Sequence, residues 1–171
     1  MNQSMNQRDM FFKWLYYAGA VLLLVLVQSL VLNRISVWAV HPFLPPVIAG
    51  IMAMLEGPAE GAVFGGIFGL LCDLTMPGVI PCFYTLAFLA AALPAAMIAK
   101  RLLSQGFLCA VLCAALALVI TDLLHTVLLT FRQGVELSAA LSLTGRELAV
   151  TVMLSPLVYL LLRSVHNRIL R

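Results

Sequence analysis

The chain has 171 residues, 63% of them hydrophobic and 10% charged, with a formal net charge of +3. A soluble domain carries about 25% charged residues, so the composition excludes an ordinary water-soluble fold. It points instead to an all-α, polytopic transmembrane bundle of about six helices, with residues 1–171 forming a single integral membrane domain in the lipid bilayer. The ten Lys and Arg residues lie at the ends of apolar segments and form no patch, which gives no basis for nucleic-acid binding.

Taken in chain order, the first helix is predicted over residues 11–33, with Trp14, Tyr16 and Tyr17 where an interfacial aromatic belt belongs. Its apolar run is long enough to span and has no small-x-small site after it, so it is expected to be retained and not cleaved as a signal peptide. The second segment, 36–55, contains Pro42, Pro45 and Pro46, which remove backbone donors and make its first half kinked or non-helical. A charged turn from Leu55 to Glu60 precedes a third helix over 60–75, closed by Pro77 and Gly78. The fourth helix is expected over 79–99 with a kink at Pro94, and the fifth over 106–131. Thr144 and Glu147 form a T-x-x-E capping pattern, which predicts a sixth helix over 145–163 with Pro156 inside it.

An even number of crossings puts both termini on one side. Arg8, Lys13, Lys100, Arg101, Arg163, Arg168 and Arg171 fall on that side, against Arg34, Arg132 and Arg146 opposite. The positive-inside rule then makes the topology N-in/C-in, with the termini cytoplasmic.

The most informative stretch is Gly57, Gly61, Gly65, Gly69 and Asp73, each four residues apart, with Gly66 beside them. Steps of four overshoot a helical turn by only about 40°, so these residues share one slowly winding stripe. Between helices in lipid there is no hydrophobic force, and small residues that let backbones approach closely are what permit association. The stripe therefore marks a helix-packing surface, against a neighbour in the same chain or against a partner. On this reading Gly65→Leu or Gly69→Leu disrupts assembly far more than Ala117→Leu. Asp73 is either an interfacial carboxylate satisfying free amides of the following turn or a functional group. Glu56 and Glu60 read as mostly structural charges flanking the turn.

Asp122 and His125 form a second constellation, three residues apart on one face of the fifth helix and beyond its midpoint. An intramembrane polar pair points into the bundle and is expected to be hydrogen-bonded, as a structural pair, a proton relay or a ligand contact. His41 reads as interfacial and His166 as part of the basic tail. Cys72, Cys82, Cys109 and Cys113 lack metal-ligand spacing and read as small buried residues, so neither a metal nor another cofactor is expected. Ser29, Ser104 and Ser155 are isolated, and no nucleophile, zincin or phosphate-loop motif is present in the sequence, which argues against an enzyme.

The run from Glu56 to Leu74, EGPAEGAVFGGIFGLLCDL, preceded by a Pro-containing segment, resembles the core of the rod shape-determining MreD family over roughly residues 42–90. The family pattern G-x-x-x-G-F-x-x-G-L-x-x-D is matched except at Gly66, where Phe is frequent, and Pro81 stands where a Gly commonly follows the turn. The resemblance implies a bacterial plasma-membrane subunit that is not an enzyme and that scaffolds cell elongation and peptidoglycan synthesis. Its implied partner is the bitopic protein MreC, and through it the RodA glycosyltransferase, RodA's transpeptidase partner and the MreB filament. It also implies a fold similar to the substrate-binding subunits of energy-coupling-factor transporters. A substrate-binding membrane subunit of that transporter type is the alternative function, with Asp122, His125 and the broken second segment lining an outward-facing pocket.

Overall fold

Uninterrupted apolar sequence placed in a medium without water must satisfy its backbone internally, and the helix does so within each segment. The computed structural model describes residues 7–34, 36, 40–75, 80–101, 106–133 and 137–169. It contains six α-helices: α1 Gln7–Leu30, α2 Pro45–Glu56, α3 Pro58–Thr75, α4 Phe83–Arg101, α5 Phe107–Gln133 and α6 Leu137–Ile169. Four of these, α1, α4, α5 and α6, contain stretches long and apolar enough to cross a membrane. Pro77, Gly78, Ser104 and Arg171 lie outside the described residues.

The second segment departs most from an ideal span. Its helix has 12 residues, about 18 Å at 1.5 Å per residue, against a hydrocarbon core of about 30 Å. It starts at Pro45 and Pro46, whose missing amides fall where a helix has no use for them. The irregular chain before it is bonded by neighbouring helices. Gln28 of α1 donates to the Pro42 carbonyl (2.8 Å) and accepts from the Leu44 amide (3.1 Å), while the Phe43 amide donates to Thr151 of α6 (3.2 Å). Non-helical backbone at this depth is tolerated because protein surrounds it. Every residue from Pro45 to Leu55 is buried, and α3, α4, α5 and α6 all pack on α2, which makes this short helix the centre of the bundle.

Other boundaries also differ from the sequence expectation: α1 runs Gln7–Leu30 where residues 11–33 were expected, and α6 continues past residue 163 to Ile169. The sixth helix begins at Leu137, not after Thr144, so Thr144 is an interior residue and no capping box forms. The stretch Leu137-Ser-Ala-Ala-Leu-Ser-Leu carries enough helix formers to continue α6 upstream, and it outweighs the local capping pattern. Helix α4 begins at Phe83, because Cys82 takes a positive φ of 63° in the turn that opens it. Cys82 is exposed, unlike the other three cysteines, which are buried as expected.

Contacts at the two ends of the bundle fix the alternation. The start of α1 meets the end of α2 and the end of α6, through Tyr17, Glu56 and His166. The end of α1 meets the segment before α2 and the first half of α6, through Gln28 and Thr151. Helix α1 therefore runs opposite to both α2 and α6, and the start of α1 and the end of α6 lie at the Glu56 end. Apolar side chains such as Leu22, Ile67, Leu123 and Leu157 point outward all round, as a bundle immersed in lipid requires.

Candidate functional site

The glycine stripe is an internal joint. A Cβ on Gly61 would meet the Ala53 Cα of α2 at 2.5 Å, and one on Gly69 would meet the Thr85 Cα of α4 at 2.5 Å and the Tyr84 carbonyl at 2.7 Å. At Gly65 the Phe88 carbonyl would be 3.3 Å away. Gly61 and Gly69 bring α3 onto α2 and α4 at a distance where any Cβ would strike backbone, and Gly65 between them sits at a tight but less extreme approach. The two remaining members do something else. Gly57 has nothing within 4 Å and a φ of +92°; it closes α2, its amide donating to the Ala53 carbonyl (3.1 Å). Gly66 is half-buried, and a Cβ there would make ordinary contact with Leu89 at 3.7 Å. Gly50, which stood outside the stripe, is tighter than Gly65 though less so than Gly61 and Gly69: a Cβ on it would meet the Cys113 carbonyl at 2.8 Å and the Ala117 Cβ at 2.9 Å.

Asp73 completes the joint between α3 and α4. One turn beyond Gly69, its carboxylate accepts from the Tyr84 amide (2.9 Å), the Thr85 amide (2.9 Å) and the Thr85 hydroxyl (2.7 Å). The first amides of a helix have no partner within it and carry the positive end of its dipole, so a carboxylate there both pairs and neutralises them. Gly69 and Asp73 thus act together, because only the close approach at Thr85 lets the carboxylate reach α4. Asp73→Ala is expected to lower unfolding stability by about 2 kcal/mol. Asp73→Asn should recover part of that loss, as read by thermal unfolding in detergent.

At the opposite end lies a buried charge cluster that sequence reasoning missed. Lys13 is 7% exposed and pairs with Glu56 and, at 2.7 Å, with Glu60. Glu56 also accepts from the Tyr17 hydroxyl and lies 2.9 Å from His166 Nδ1, itself 2.8 Å from the same hydroxyl. Four helices, α1, α2, α3 and α6, converge on one carboxylate. The signal was present in the i, i+4 spacings of Lys13 with Tyr17 and of Glu56 with Glu60. Nothing in the sequence aligned the two pairs or brought His166 to them.

Asp122 and His125 are on α5 as expected, but no hydrogen bond joins them among the described residues, and Asp122 Oδ2 is buried with no partner. The His125 ring instead packs on Phe83, centroids 5.6 Å apart. Cys109 and Cys113 are buried with sulfurs 4.0 Å apart, and among the described residues no three His, Cys, Asp or Glu side chains converge as a metal site needs.

A cavity of about 690 Å³ forms a lateral groove between α1 and α3. It runs from Trp14 and Tyr17 at the Glu56 end to Gln28 and Thr75 at the Asp73 end, walled by Val21, Val25, Phe64, Ile67, Phe68 and Leu71. Neither Asp122 nor His125 lines it. The groove exists because α1 packs mainly on α6 and leaves α3 largely uncovered on that side. Compared with family models, with characterised proteins and with solved structures, the chain gives no significant match.

Proposed function

We propose that this protein is a scaffold subunit of the bacterial cell-elongation machinery, of the MreD type and not an enzyme, and that it binds the transmembrane helix of an MreC-like bitopic partner in the groove between α1 and α3. The observation that carries this reading is the groove itself: an apolar trough of about 690 Å³ that opens sideways between two membrane-embedded helices and runs along most of α3. A small-molecule site carries a few convergent polar groups to orient its ligand. This trough has almost none and matches a cylinder of apolar side chains better.

Two further features support it. The glycine stripe is engaged inside the chain, so α3 presents its other face, Val63, Ile67, Leu71 and Leu74, outward at helical spacing. Glu60 stands half-exposed at the groove's end beside Lys13, where a basic residue flanking a partner helix finds a carboxylate. In this reading the Glu56 end faces the bacterial cytoplasm, in keeping with the surplus of Lys and Arg there. RodA, its transpeptidase partner and MreB are reached through the bitopic protein. Co-expressed with an MreC-like protein and extracted in mild detergent, the chain is expected to co-purify with it, and its depletion is expected to widen rod-shaped cells. A chain that purifies alone, and whose loss leaves cell width unchanged, would overturn the proposal.

A further inference from the structure

The polar groups between α5 and α6 play no part in the scaffold role. Asp122 and Thr126 lie one turn apart on α5, and Thr144, Glu147 and Thr151 are spaced three and four apart on α6, so each set shares a face. The faces meet where the Thr126 and Thr144 hydroxyl oxygens come within 3.3 Å. Asp122 is 7% exposed and one turn from Thr126, and among the described residues its Oδ2 accepts no hydrogen bond. The titratable groups that face it are Glu147 from α6, close enough to act on it electrostatically, Tyr84 from α4, within range of both carboxylates, and His125 from its own helix. Asp73 of α3 also acts on Tyr84 but is held by the α4 amides. No lysine or arginine pairs with Asp122 among the described residues.

A carboxylate buried in a membrane segment within electrostatic range of a second carboxylate is costly unless a proton, a cation or water meets it. Divalent hard ions take six to eight oxygen ligands, commonly from several carboxylates. Among the described residues this seam offers two carboxylates and two threonine hydroxyls, and no third Asp, Glu, Cys or His joins them as a metal cluster. We infer that Asp122 and Glu147 bind one monovalent cation, a sodium ion or a proton, between α5 and α6. The site stabilises the bundle only when occupied, so stability follows the concentration of that cation.

The test is thermal unfolding of the purified full chain in detergent. Sodium chloride is exchanged for N-methylglucamine chloride at constant ionic strength, and pH is varied in the absence of sodium. A sodium site raises Tm by about 5–10 °C at saturating salt in the wild type and not in Asp122→Asn. A proton site gives no sodium response but a Tm that rises as pH falls, again absent in Asp122→Asn, whose amide needs no counter-charge. Glu147→Gln, on the less buried side of the pair, carries the same comparison if Asp122→Asn does not accumulate. A wild-type Tm indifferent to both sodium and pH, or variants that respond as the wild type does, would overturn the inference.

Discussion

Gly69→Leu is expected to destabilise the protein by about 3 kcal/mol or more, enough to prevent accumulation of the folded chain in the membrane. Even a single carbon at this position meets the Thr85 Cα at 2.5 Å and the Tyr84 carbonyl at 2.7 Å, and both are backbone atoms that cannot swing aside. Helices α3 and α4 must then separate, which also draws the Asp73 carboxylate off the Tyr84 and Thr85 amides. Comparing alanine substitutions isolates the cause. Gly66→Ala gains up to about 1 kcal/mol of helix propensity and meets only the flexible end of Leu89 at 3.7 Å, so it is expected to be neutral or stabilising. Gly69→Ala gains the same propensity and is expected to be destabilising regardless. Equal thermal stabilities for the two alanine variants would show that close approach is not what the stripe provides.

Glu56→Ala has the second large effect, about 3–5 kcal/mol. Removing this carboxylate leaves the buried Lys13 with Glu60 alone, and takes an acceptor from Tyr17 and a partner from His166. Glu60→Ala removes a carboxylate that is 48% exposed from the same lysine and is expected to cost about 1 kcal/mol or less. The asymmetry follows from burial: Glu56 meets Lys13, Tyr17 and His166 where little water reaches, whereas Glu60 stands at the rim where water can take its place. Thermal unfolding of both variants in one detergent, with the wild type alongside, measures it.

The membrane class, the helix count and the irregular start of the second segment were legible because each rests on local composition: long apolar runs, and prolines that cannot donate. The stripe was legible as a packing surface because four-residue periodicity is a property of one helix. Its partner was not, since Ala53 of α2 and Thr85 of α4 meet it only through the three-dimensional arrangement. For the same reason Ala117, expected to tolerate leucine, is fully buried and sits 2.9 Å from a Cβ built on Gly50, so Ala117→Leu is itself disruptive and the outward-facing Val63 is the proper control. The Thr144–Glu147 pattern misled because a capping motif is informative only where a helix ends, and here the residues upstream are helical too. Lys13 read as a topological marker. Only the fold turns it inward onto Glu56, which places the ends of α1 and α6 on one carboxylate.

The proposed docking of a partner helix between α1 and α3 is tested most directly by photo-crosslinking in intact cells, with a photoreactive residue placed at Ile67 or at Leu123. The two positions are equally exposed, 59% each, but Ile67 lines the groove and Leu123 lies on the lipid face of α5. A crosslink from Ile67 to the transmembrane segment of the MreC-like protein is expected, and none from Leu123. A crosslink from Leu123 with none from Ile67 would contradict it.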